Sequence, residues 1–234
     1  MKVGLIIPAY NEEESIGQVV RRCMNLASQP GTGRVVVCDN DSSDSTAEVA
    51  RAAGAEVVHA APRGYGIACQ RGIQHLGSWP DVLVFIDADG SSRPEEIDRL
   101  LKPIRCSGAD LVIGRRPPDS PMTPPQRWGT RFAVWTLNWR WGSTFTDIGP
   151  FRAIRRISLE KLKMRDRTWG WTIEMQILAI LNGLKVEEAP VSWEKRLAGR
   201  SKISGTVSGV LRAGARILWT IGRYGFRLTT DCSQ

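Results

Sequence analysis

The stretch VLVFIDADGSSRPEEI, residues 82–97, passes from an apolar run through two carboxylates one residue apart, Asp87 and Asp89, into a segment of helical composition. On an extended chain, residues i and i+2 point to the same side, so both carboxylates face one ligand or one patch of solvent. A metal site, an acid/base pair and a solvated turn are the three readings. The following helix supplies its own start, with Ser92 and Glu95 in capping-box spacing and Pro94 and Glu96 suited to its first turn. That leaves the two aspartates free. An apolar strand closed by Asp-x-Asp suits a hard divalent cation that bridges to phosphate oxygens, and the solvated turn stands as the alternative.

Outward from this stretch, strands and helices alternate. Apolar runs at 2–8, 34–39, 55–60, 81–87 and 109–114 read as strands; helical spacing at 12–27, 65–76 and 94–105, and a Ser45/Glu48 capping box opening a helix to about Ala53, read as helices. Continuously apolar strands separated by helices predict a mostly parallel sheet covered on both faces, with ligands at the carboxyl ends of the strands. Asp39, Asp87 and Asp89 all fall there. Five prolines within 115–126 break the pattern. A Trp-rich helix over about 126–141, a helix around 172–182 and a short strand pair near 184–194 follow. Trp128, Trp135 and Trp139 form one helical stripe, which reads as core, with a greasy channel as the other reading.

Composition narrows the class. The chain has 234 residues, 42% hydrophobic and 24% charged, as in a globular protein. No run approaches the length of a membrane-spanning helix and the first residues lack the shape of a signal peptide, so a cytoplasmic location is expected. The five cysteines, Cys23, Cys38, Cys69, Cys106 and Cys232, are scattered and form no CxxC pair, which points to a reducing compartment rather than a disulfide framework. The net charge is +8, and residues 195–230 carry eight basic side chains and no acid. Arg212, Arg216, Arg223 and Arg227 fall within about 60° of arc on a helix, opposite apolar residues. This pattern predicts peripheral contact with an anionic membrane face; a helix capping the core is the alternative. Without interleaved aromatics, nucleic acid is not an expected partner.

Three motifs in order, Pro8-Ala-Tyr-Asn-Glu12, Asp39 with Asp41-Ser-Ser-Asp44, and Asp87-Ala88-Asp89, resemble the inverting family 2 glycosyltransferases of GT-A fold, and among them the dolichyl- and polyprenyl-phosphate sugar synthases. The resemblance runs to about residue 205. It implies a glycosyltransferase domain over 1–205, with a nucleotide-sugar half (1–115), an acceptor half (116–205) and a basic C-terminal helix and tail (206–234). It implies a nucleoside diphosphate sugar, UDP- or GDP-linked, held by Pro8, Ala9, Tyr10, Glu12, Asp39, Asp87, Ala88, Asp89, Arg116, Arg200 and Lys202. Mg²⁺ or Mn²⁺ is expected on Asp89, with Ser91 standing where relatives carry a metal-ligating Gln. Arg127, Arg131, Arg152 and Glu174 are the implied acceptor contacts, the acceptor being a lipid phosphate or a soluble hydroxyl. Asp89, Asp147 and Arg200 are the expected catalytic groups, with Asp147 the base if a hydroxyl is the acceptor. A glycoside hydrolase, a nucleotidyltransferase and a non-catalytic sugar-nucleotide binder are the rival classes. For the nucleotidyltransferase, the residues after the first strand lack the expected Gly-rich loop.

Overall fold

The computed structural model describes residues 1–27, 33–198 and 207–225, with the side chains at 207–213 and 217 outside that description. The elements run β1 (Val3–Ala9), α1 (Glu13–Ala27), β2 (Arg34–Asp39), α2 (Thr46–Ala52), β3 (Glu56–His59), α3 (Tyr65–Leu76) and β4 (Val82–Phe85). A 3-10 turn at Pro94–Glu96 then leads into α4 (Ile97–Cys106), β5 (Leu111–Arg115), α5 (Pro124–Trp141), β6 (Arg152–Arg155), α6 (Arg156–Leu162), α7 (Trp171–Leu181), β7 (Val186–Pro190) and α8 (Val207–Gly225).

The strands form one sheet in the order β3-β2-β1-β4-β6-β5-β7. All pairings are parallel except those of β6, which is antiparallel to both β4 and β5. The apolar runs are continuous because both faces of the sheet are covered. On β1, Leu5 and Ile7 join one core layer with Ile16, Val19 and Val20 of α1 and Leu100 and Ile104 of α4. Ile6, between them, joins the opposite layer with Ile67 of α3, Leu137 of α5 and Trp171 and Ile173 of α7. The chain builds outward from β1 to β3, then returns to place β4 on β1's other side. That reversal opens a crevice at the carboxyl ends of β1 and β4, where α/β sheets bind ligands.

Several local expectations are corrected. Ser45 precedes α2, yet its side chain makes no cap bond. Asp44 takes over, accepting from the Thr46 N–H at 3.0 Å and its hydroxyl at 2.5 Å. Ser92 and Glu95 form no capping box either. Glu95 holds Arg22 of α1 through two 2.7 Å bonds, and the Ser92 hydroxyl is buried without a partner. The strand pair near 184–194 is a single strand, β7, parallel to β5, followed by one bridge between Ser92 and Trp193. The tryptophan stripe of α5 is exposed, not core; Ala133 and Leu137 supply that helix's buried side. Of the four arginines expected to form a cationic face on α8, the Arg212 side chain and all of Arg227 lie outside the described residues. Arg216 turns inward to the buried Asp166 carboxylate at 2.8 Å, while Leu218 and Trp219 are exposed. Among the described residues no helix is long and apolar enough to cross a membrane.

Phe85 ends β4 beneath the crevice, fully buried and edge-on to Trp171 with ring centroids 6.4 Å apart. Phe85→Ala leaves a cavity that neighbouring strands cannot close, and is expected to cost about 3–5 kcal/mol. Urea unfolding is expected to show a lower midpoint at unchanged slope.

Candidate active site

The crevice widens into a cleft of about 710 Å³. The sheet's carboxyl edge forms its floor, and Gly129 and Phe132 of α5, Trp169, and Gly214 and Leu218 of α8 form the far wall. Pro8, Ala9, Tyr10 and Glu12 enter it from the end of β1, Asp87, Ala88 and Asp89 from β4, and Arg116 from β5.

The β1 and β2 ends are tied together. Ala9 and Asp39 are register partners, and Asn11, at φ 50, accepts from the Ser43 N–H at 2.8 Å. Glu13 and Asp44 bond across the same two loops, so these acids are structural. Asp39 is buried, with His59 3.8 Å from one oxygen and its Oδ1 without a hydrogen-bond partner. Asp39 does not line the cleft, and this oxygen is shielded within the chain. Asn40 beside it accepts from the Gly64 N–H at 2.7 Å and donates to the Ala60 carbonyl, fixing the segment that carries Arg63. The Arg63 guanidinium lies 4.4 Å from the Tyr10 ring centroid.

Asp87 and Asp89 sit differently. Tyr65, stacked on Trp169 at 6.0 Å, donates its hydroxyl to Asp87 Oδ1 at 3.4 Å. Burial pushes the Asp87 carboxyl up to about 7, helped by the charge of Asp89 and, less, of Glu12, and opposed by Arg116 and the Tyr65 bond. Asp89 Oδ1 accepts from the Ser91 N–H at 2.9 Å and from the Ser91 hydroxyl at 2.6 Å. Ser91 is itself buried, so its hydroxyl orients Asp89. Gly90, at φ +75, makes this turn, and a Cβ there would overlap the Leu197 side chain. The chain after β7 crosses the turn here, with Leu197 N–H donating to the Asp89 carbonyl at 2.9 Å. That crossing delivers Arg196, whose guanidinium is 2.6 Å from Glu12 and 3.9 Å from Asp89.

Other expected site residues are not on the cleft wall. Asp147 lies behind Arg116, accepting from its Nε at 2.8 Å, its Nη2 at 2.6 Å and its backbone N–H at 2.9 Å, and from the Ile148 N–H at 2.7 Å. With both oxygens engaged, it positions Arg116, whose guanidinium also stacks 5.1 Å from the Trp193 ring. Arg152 is buried and donates to the carbonyls of Ile148, Gly149 and Thr172; burial brings its guanidinium down to about 10. Glu174 is buried under α8, holding the Tyr224 hydroxyl at 2.6 Å and the Arg165 and Asp166 N–H groups. Arg127 donates to the Pro118 and Ser120 carbonyls, bracing the proline-rich loop, and Arg131 is exposed outside the cleft. Arg200 and Lys202 lie outside the described residues. Sequence reading passed over Arg63, Tyr65 and Arg196. Only Arg196 carried a signal, as part of the basic run that begins at Lys195.

Raising the Asp87 carboxyl to about 7 means the folded chain holds a proton that the unfolded chain has released by about pH 4, so stability falls as pH rises through that window. Asp87→Asn removes the penalty. In metal-free buffer the variant is expected to melt higher than wild type at pH 8, with the gap closing towards pH 5. An unchanged gap across that range would contradict the burial of this charge.

The model for glycosyl transferase family 2 matches residues 5–163. An uncharacterised glycosyltransferase of Mycobacterium tuberculosis is 38% identical over 213 residues, covering 90% of this chain and 94% of the relative. The undecaprenyl-phosphate mannosyltransferase of Micrococcus luteus is 33% identical over 244 residues, covering 94% and 96%. In fold, the chain is similar to glucosyl-3-phosphoglycerate synthase of M. tuberculosis, crystallised with Mn²⁺, uridine diphosphate and glucosyl-3-phosphoglycerate. The TM-score is 0.76 at 22% identity, over 94% of this chain and 80% of that one.

Proposed function

The chain belongs to glycosyl transferase family 2 and has the GT-A fold, and on that footing we propose that it transfers a sugar from a nucleoside diphosphate to a polyprenyl phosphate or another lipid-linked acceptor. The observation that carries this reading is one cleft in which Glu12, Asp87 and Asp89 face Arg116 and Arg196, and whose far wall is apolar. The name of the Micrococcus relative supports the acceptor class.

In this reading residues 1–115 hold the donor and 116–205 the acceptor, with 206–234 as the basic C-terminal helix and tail. The base stacks at Tyr10 and Arg63, with Asp39 at the end of β2 as the proposed polar contact behind them. Pro8, Ala9, Glu12 and Ala88 shape the ribose and diphosphate site. The residues present fit a divalent cation. Asp89 keeps Oδ2 clear of the Ser91 bonds, and the Asp87 carboxyl, raised chiefly by burial and then by the charges of Asp89 and Glu12, would be stabilised in its charged form by a nearby cation. Hard cations of this kind take one or two carboxylates and complete their shell with phosphate oxygens and water. Mg²⁺ or Mn²⁺ held by Asp89 would supply positive charge to the departing diphosphate.

The chain's own cations do similar work. Arg116, locked by Asp147, and Arg196, reaching over Glu12, are preplaced where negative charge grows as the anomeric C–O bond to the diphosphate breaks. The acceptor oxygen attacks from the opposite face, forming the new C–O bond with inversion. A phosphate acceptor is already ionised, which agrees with an Asp147 whose oxygens are both occupied and which needs no role as a base. Arg200 and Lys202 remain proposed diphosphate contacts, and Arg131 an acceptor-side cation. We place the enzyme at the cytoplasmic membrane face, where such an acceptor resides.

Titration calorimetry of UDP and GDP, each with Mn²⁺ and with EDTA, tests the donor site. One nucleotide is expected to bind, about tenfold or more weakly without metal. Asp89→Ala should abolish the metal-dependent part, and Arg196→Gln should lower kcat on a polyprenyl phosphate by about 10²–10³. If neither nucleotide binds under either condition, the donor assignment fails.

A further inference from the structure

We infer that Arg196 makes the site select a metal–nucleotide complex over free metal. Its guanidinium faces the carboxylate oxygen that a divalent cation needs, and gives it up only when a diphosphate is there to receive the guanidinium. This role rests on the donor site proposed above and goes beyond it, since there Arg196 only adds positive charge. The side chain of Arg196 is 21% exposed and lies between Glu12, 2.6 Å from its Nη2, and Asp89, whose Oδ2 is 3.9 Å from its Nη1. That Oδ2 is the oxygen outside the Ser91 bonds, so the guanidinium and the proposed cation compete for one atom. Two positive groups on the same oxygen repel strongly in a site shielded from water. Free metal must therefore displace Arg196 and leave a half-buried charge without its partners, which is costly.

The other arginines that line the cleft are committed elsewhere. Arg116 is held by Asp147 through Nε and Nη2, and Arg63 pairs with Asp41 at 3.6 Å against the Tyr10 ring. Arg196, by contrast, rides on a strap laid across the Asp89 turn. The start of the strap is pinned, with Ser192 donating twice to Glu96 and Arg93 Nε donating to Glu194 at 2.6 Å. Backbone bonds fasten it to the turn on both sides of Arg196, Glu194 N–H to the Ser91 carbonyl and Leu197 N–H to the Asp89 carbonyl, each at 2.9 Å. With its backbone fixed there, Arg196 can change partners by moving its side chain alone. Phosphate oxygens match the flat guanidinium fork as carboxylate oxygens do. A diphosphate bound in the same cleft thus offers Arg196 a new partner as the metal takes Asp89. Nucleotide lowers the cost of seating the metal, and by linkage the metal tightens the nucleotide.

Mn²⁺ binding to the full chain is read from the loss of the free-ion EPR signal, without nucleotide and then with UDP or GDP, for wild type, R196Q and R196K. Without nucleotide, R196Q is expected to bind Mn²⁺ at least about tenfold more tightly than wild type. R196K, which keeps the positive charge, should stay close to wild type. With nucleotide the order reverses, R196Q holding the metal–nucleotide complex about tenfold more weakly. A residue that only braced the fold would not tighten one ligand while loosening the other. A second measurement needs no variant: in crystals of wild type grown with Mn²⁺ and the nucleotide that binds, the guanidinium is expected on the diphosphate and clear of Asp89. R196Q that binds Mn²⁺ alone no more tightly than wild type overturns the inference, as does a wild-type complex in which Arg196 still lies against Asp89 beside the metal. In both cases the donor site itself stands. Wild type that binds neither Mn²⁺ nor nucleotide overturns the donor site and this role together.

Discussion

The burial of the Asp87 carboxyl beside Asp89 and Glu12 is the constraint around which the site is arranged. Parallel strands β1 and β4 end side by side at the point where the strand order reverses, so residues following each strand share one crevice. Three carboxylates there would be unfavourable in a dry site. The chain answers with two arginines brought from far along the sequence. Arg116 arrives after β5 and is locked by Asp147, and Arg196 arrives after β7 and bonds Glu12 at 2.6 Å. The balance is incomplete, because burial, and after it the charge of Asp89, keeps the Asp87 carboxyl raised to about 7. In the proposed reading, a cation at Asp89 and donor phosphates accepting from the two guanidinium groups would complete that balance.

That arrangement also explains the antiparallel β6. Its insertion between β4 and β5 places Arg152 beside Phe85, in register, directly beneath the cleft. The buried guanidinium satisfies the carbonyls of Ile148, Gly149 and Thr172, which brings the segment holding Asp147 against the start of α7. Asp147 then meets Arg116, and Gln176 donates to the Asp147 carbonyl at 3.1 Å. A residue that resemblance assigns to the acceptor instead supports the frame on which the cleft-facing cation rests.

The legible parts of the fold were those fixed by local pattern. Apolar runs located the first five strands, and alternate residues on β1 feed opposite core layers, as a doubly covered sheet requires. Asp87 and Asp89 both line the cleft, but they follow β4 into a turn, so strand period two is not what brings them together. Short β6 reads Arg-Ala-Ile-Arg and offers too little apolar run to be recognised. Arg196 could not be singled out, because its partner Glu12 is 184 residues away and nothing near either residue encodes the pairing. Glu174 was ambiguous for the same reason: a glutamate on a helix looks solvated until Tyr224, fifty positions on, covers it. The cap patterns at Ser45 and Ser92 failed because stronger partners, Asp44 for Thr46 and Arg22 for Glu95, claimed the groups involved.

The tryptophan stripe shows the limit of periodicity most clearly. Spacing establishes that Trp128, Trp135 and Trp139 share a face, but it does not say what the face meets. Burial of the opposite side decides that: Ala133 and Leu137 are small and branched enough to seat α5 on the core, and α8 packs alongside with Ile221 and Tyr224 turned inward. Once those contacts are made, the indoles have no protein surface left to cover among the described residues. The same packing turns Arg216 onto Asp166, while Leu218 and Trp219 of α8 are exposed. Two helices read separately, one as core and one as a charged surface, therefore each contribute an exposed apolar residue, Phe132 and Leu218, to the lining of the cleft.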